Sequence, residues 1–117
     1  MTQFGTTLLL NLYDCNKDNM HSKEYILGYL YLLLDAIQMQ GDNIEMKNYI
    51  GRDEYTAGWT LTCMLSCSSL AIHFVPHTKN IYLDITSCKA IPTTKVLDVC
   101  HSFWTHTDYT IQVIERS

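Results

Sequence analysis

Ala57-Gly58-Trp59-Thr60-Leu61-Thr62-Cys63-Met64-Leu65-Ser66-Cys67-Ser68-Ser69-Leu70-Ala71-Ile72-His73-Phe74-Val75-Pro76 is the stretch whose reading decides the fold. Leu61, Cys63 and Leu65 alternate with Thr60, Thr62, Met64 and Ser66, the period of a strand with one packed face and one face free to line a cleft. After Ser68 the chain is extended again through Leu70, Ile72 and Phe74, and Pro76 ends it. Asn80 to Thr86 repeats the alternation, with Ile81, Leu83 and Ile85 opposed to Tyr82, Asp84 and Thr86. Three such segments in succession point to neighbouring antiparallel strands.

Working outward, Thr6 to Tyr13 is a short apolar run around Leu8, Leu9, Leu10 and Leu12, ended by the turn-prone Asp14 to Asn19. A helix is predicted from Ser22 to Gln40, with Ser22 as its cap, Glu24 in its first turn and Gly41 as its stop. Its apolar face is Ile26, Tyr29, Leu30, Leu33 and Ile37. Asn43 to Ile50 reads as a strand leading to the loop Gly51-Arg52-Asp53-Glu54. Pro92 sits near the first turn of a second helix, Thr93 to Trp104, and Tyr109 to Glu115 gives the last strand. The order predicts an α+β two-layer sandwich, a mostly antiparallel sheet with two helices on one face, as one domain over residues 1–117.

Apolar residues make up 47% of the chain and charged residues 17%, a globular composition. A net charge of −4 with scattered Lys and Arg gives no basic field for a phosphate backbone, so nucleic acid is excluded as a partner. The run Tyr29 to Leu34 is far shorter than the ~20 residues of a membrane span, and Thr2-Gln3-Phe4-Gly5 lacks the basic start of a signal peptide. The expected location is the cytoplasm. Five cysteines, an odd count with no CxxC pair, indicate neither a disulfide framework nor a metal site; most are expected as small buried hydrophobes.

Ser68, His73 five residues on and Cys88 fifteen beyond that place a hydroxyl, an imidazole and a thiol close together in sequence. By spacing alone, a turn serine, a hydrogen-bonded strand histidine and a core cysteine are the better explanation. The wider text adds more. Ser66 to Pro76, followed by Tyr82-Leu83-Asp84-Ile85-Thr86-Ser87-Cys88, resembles the bacterial and archaeal S-adenosylmethionine decarboxylase proenzymes, which keep a serine, an Ile-His pair and an Asp-x-x-x-Cys segment at these separations. Gly5, Leu8 to Cys15 and Gly58 agree more weakly.

The resemblance implies a βαββαβ-type protomer and self-cleavage at Cys67-Ser68. Ser68 would attack the preceding carbonyl to form an ester, and β-elimination would leave a pyruvoyl group as the cofactor. It assigns His73 the proton abstraction, places Thr60 where a processing serine stands, and makes Cys88 the acid that reprotonates the substrate carbon. The chain departs from the pattern at Cys67, usually acidic; at Ser69, usually histidine; at Val75, usually aromatic; and at His77, usually the glutamate that holds the ribose. Tyr55, Trp59, Phe4 and Phe74 are the candidate replacement stacking surfaces, with His77 and Glu54 completing the substrate-binding set.

The implied function is decarboxylation of S-adenosylmethionine for polyamine synthesis, by a homo-oligomer that is usually a dimer, with a trimer as the other option. Two alternatives keep the fold. One is a cofactor-free lyase that turns S-adenosylmethionine into methylthioadenosine and homoserine lactone by positioning and electrostatics, drawing on Tyr55, Glu54 and Glu115. The other is a non-catalytic binding or regulatory subunit.

Overall fold

The computed structural model describes residues 4–117; Thr2 and Gln3, read above for a leader, lie outside the described residues. The elements run β1 (Gly5–Tyr13), α1 (Lys23–Ala36), β2 (Gly41–Tyr49), β3 (Gly58–Leu65), β4 (Ser68–Val75), β5 (Asn80–Ser87), α2 (Thr93–Trp104) and β6 (Asp108–Arg116). The strands form one six-stranded sheet in the order β2-β3-β4-β5-β1-β6, with every neighbouring pair antiparallel. No helix among the described residues is long and apolar enough to cross a membrane.

Alternation in the strands sorts their side chains onto two faces. Leu8, Leu10, Leu12, Leu61, Ile72, Leu83 and Ile85 are fully buried on the helix side. Over them lie Ile26, Tyr29, Leu30 and Leu33 of α1 and Val96, Cys100 and Trp104 of α2. Aromatic rings fill the join: Trp104 meets Tyr25, Tyr29 and Phe74 at centroid distances of 5.2, 5.4 and 5.3 Å. Tyr29 and Cys100 hydrogen-bond through their hydroxyl and thiol at 3.1 Å. Phe74 is therefore a core residue beneath the helices and not a surface on which a ligand stacks.

Ser22 caps α1 as expected, its hydroxyl accepting from the Tyr25 N–H at 3.2 Å. The predicted end at Gln40 is corrected: the helix stops at Ala36. Gln38, not Gly41, takes the left-handed conformation (φ 56°), and the N–H groups of Gln38 and Met39 bond back to the carbonyls of Asp35 and Leu34. That is a Schellman termination, which a residue other than glycine makes at modest cost.

Candidate active site

The sheet face away from the helices is open, and antiparallel register arranges its side chains in rows. One polar row crosses all six strands: Lys47, Thr60, His73, Tyr82, Asn11 and Thr110. Within it Thr60 Oγ1 and His73 Nδ1 are 3.1 Å apart, so the threonine hydroxyl fixes the imidazole in place. A groove of about 540 Å³ runs beside His73 and is lined by Tyr82, Asp84, Asn11 and Gln112. The next row holds Asp84 opposite the small Ala71, which leaves its exposed carboxylate room on one side.

Ser68 lies at one end of β4, on the helix-side parity of Leu70 and Ile72 and not on that of His73. It opens β4 directly after the two-residue turn Ser66-Cys67, so the Cys67-Ser68 bond sits at the tip of the β3–β4 hairpin. Ser68 is half-buried, while Cys67 and Cys88 are exposed. The register pairs Leu70 with Ile85 and Ser69 with Thr86, and two further steps outward set Cys67 opposite Cys88. The two form a disulfide with Cα atoms 5.9 Å apart. The absence of a disulfide expected from the cysteine count is thus corrected, because the pairing comes from strand register, which cysteine spacing does not encode. The remaining cysteines fit the buried-hydrophobe reading. Burial pushes the thiol of Cys15 up to about 12 and that of Cys100 to about 11, and Cys63 is raised by the same cause.

Gly5 crosses closely behind this end: a Cβ there would collide with the Ser87 carbonyl oxygen and lie 2.7 Å from the Cys88 Cα. That contact brings the exposed Phe4 to the same end of the sheet. Arg116 is there as well, its guanidinium donating to Thr7 Oγ1 at 2.9 Å, with Thr7 hydroxyl to Thr86 hydroxyl at 3.1 Å.

The opposite end of β4 carries a third group. Glu54 Oε1 lies 3.8 Å from His77 Nε2, and the Tyr55 and His77 rings meet edge-on at 4.6 Å. Glu54 and His77 border a second groove of about 480 Å³, shared with His21, Asp18 and Gly58. Half-buried Trp59 donates its indole N–H to the His21 carbonyl at 3.3 Å.

The sequence-predicted residues thus fall into three clusters spread along β4. Ser68, Cys67, Cys88 and Phe4 occupy the hairpin end, Thr60 and His73 the middle, and Glu54, Tyr55 and His77 the far end. At about 3.3 Å per strand residue, Ser68 and His73 are roughly 16 Å apart along the strand. A single chain does not bring its serine and histidine together. Sequence reasoning did not single out Tyr82, Asn11 or Arg116; the alternation of Tyr82 with Ile81 and Leu83 was the signal that set it on the open face.

The architecture defines an α+β two-layer protein with a polar, uncovered sheet face carrying a hydroxyl–imidazole pair. The family model described as S-adenosylmethionine decarboxylase matches residues 6–117, and the chain belongs to that family. Its fold is similar to that of the adenosylmethionine decarboxylase from Aquifex aeolicus, with a TM-score of 0.79 and 18% sequence identity over 100% of this chain and 93% of that one. No curated protein sequence matches it.

Proposed function

We propose that the protein is an S-adenosylmethionine decarboxylase that cleaves itself between Cys67 and Ser68. The observation that carries this reading is the position of Cys88 directly across from that bond, 5.9 Å from Cys67 between Cα atoms. The hairpin tip suits self-cleavage. Ser68 Oγ is close in the chain to the Cys67 carbonyl carbon, and an exposed turn lets the two new ends separate without disturbing either strand. Attack moves the acyl group from nitrogen to oxygen. Loss of the Ser68 α-proton then expels the Cys67 carboxylate, and hydrolysis releases ammonia to leave a pyruvoyl group at residue 68. That group supplies an electron sink for decarboxylation.

The α-proton needs a base within hydrogen-bond reach, and the histidine of the same chain is too far along β4. We assign the role to His73 of a second copy, held by its Thr60. A copy laid over the open face with its strands reversed sets its sheet centre above the hairpin end of the first, and an isologous contact gives two such sites. Leu9, Ala71, Met64 and Ile114 supply apolar area to that face. In the reduced protein Cys88 holds the proton that returns to the substrate carbon, and Phe4 offers a flat surface beside it. In the copy that lends His73, the far end of β4 carries Glu54 beside His77, where the family carries its own glutamate, and the Glu54 carboxylate accepts hydrogen bonds from a ribose.

Product analysis with S-adenosylmethionine tests the reading. The expected products are carbon dioxide and the decarboxylated sulfonium, both lost in Ser68→Ala. The cofactor-free lyase draws support from the Glu54–Tyr55–His77 cluster, which needs no Ser68. Methylthioadenosine formed without carbon dioxide, and unchanged in Ser68→Ala, replaces the decarboxylase with that lyase.

A further inference from the structure

All five cysteines lie among the described residues, and they divide cleanly. Cys15, Cys63 and Cys100 are buried free thiols. Cys67 and Cys88 are exposed and bonded to each other. The pair is not placed where a structural staple adds much, because β4 and β5 are already joined along their length by the ladder from Ser69–Thr86 to Val75–Asn80. Its position is chemical instead. Cys67 supplies the carbonyl of the bond to be broken, and Cys88 is the proton donor of the decarboxylation. A sulfur in a disulfide carries no proton to give. Disulfides in reducing compartments are chiefly catalytic or redox-sensing, and in the separate protomer exposure makes this one open to attack by an external thiolate before a second copy covers the face.

We propose that the Cys67–Cys88 disulfide is a redox gate on the active site, closed when oxidised and opened by a dithiol reductant. The gate rests on the decarboxylase reading above. In opening, one thiolate of the reductant attacks a sulfur of the pair, breaking the Cys67–Cys88 bond and forming a mixed disulfide. The second thiol of the reductant then displaces the remaining cysteine. The reductant leaves as its own disulfide, and Cys67 and Cys88 together gain two electrons and two protons. The closed state has a second consequence. Residues 1–67 and 68–117 stay covalently joined through the bridge even after Cys67-Ser68 is cut, so cleavage is hidden unless the protein is reduced.

The test uses the full chain purified without reductant and treated, or not, with dithiothreitol. Maleimide tagging of the denatured protein, read by mass, is expected to find neither Cys67 nor Cys88 reactive before reduction and both reactive after it. Carbon dioxide release from S-adenosylmethionine is expected to rise on the order of a hundredfold on reduction, the scale of a lost general acid, and to fall again with oxidised glutathione. In Cys67→Ser the ratio of reduced to oxidised activity is expected to collapse to one, whatever its absolute rate. Cys67→Glu, which restores the acidic residue usual at this position, gives the same ratio if the serine variant folds poorly. Both cysteines tagged before reduction overturns the gate. Equal carbon dioxide release in both states also overturns it and leaves the decarboxylase standing. No carbon dioxide and no cleavage in either state overturns the decarboxylase, and the gate with it.

Discussion

His106 shows how burial sets the behaviour of a single side chain. Its pKa is lowered from 6.5, first by burial and then by the charge of His101, whose ring lies 5.2 Å away. Its Nδ1 is buried with no hydrogen-bond partner among the described residues, so a proton added there is poorly solvated. The unfolded chain therefore binds that proton more readily than the folded one. Stability is full above about 6.5 and falls as pH drops toward the lowered folded value. Denaturant unfolding at stepped pH is expected to show this decline in the wild type and a flatter profile in His106→Phe. The core makes a second demand at this scale. Tyr29→Phe leaves the Cys100 thiol without its hydroxyl partner and is expected to lower unfolding free energy by about 1 kcal/mol.

Among the elements, β3 begins at a point no other residue type fills well. Gly58 has φ 150°, and a Cβ there would collide with the Phe74 carbonyl oxygen. Gly58→Ala is expected to cost about 1–3 kcal/mol in chemical denaturation, since both the backbone conformation and the approach of β4 must give way. Most of the element pattern was legible in the sequence, because alternation in β3, β4 and β5 and the Ile26-Tyr29-Leu30-Leu33 face of α1 are direct consequences of burial. What was not legible was local backbone choice. The helix ends at Ala36 because Gln38 turns left-handed, a state that glycine signals in a sequence and glutamine does not. The Cys67–Cys88 bridge was hidden for a related reason, since it follows from which residues strand pairing sets opposite each other.

For the whole molecule, the candidate site is divided along β4, and sequence proximity concealed the division. Ser68 and His73 are five residues apart, but in a strand this means about 16 Å and opposite side-chain parity. Motif spacing named candidate residues without revealing that β4 holds Ser68 and His73 apart within one chain. Co-expression of Ser68→Ala with His73→Ala is the corresponding test of assembly. Each variant alone is expected to be inactive, whereas the mixed population regains about a quarter of wild-type activity, from one intact site in each mixed dimer. Inactivity of the co-expressed pair argues for a site within one chain. The account as a whole depends on a single covalent event. The mass of the wild-type protein after full reduction addresses it most directly: two species, residues 1–67 and residues 68–117 with a pyruvoyl start, are predicted, and a single intact chain of 117 residues contradicts the account.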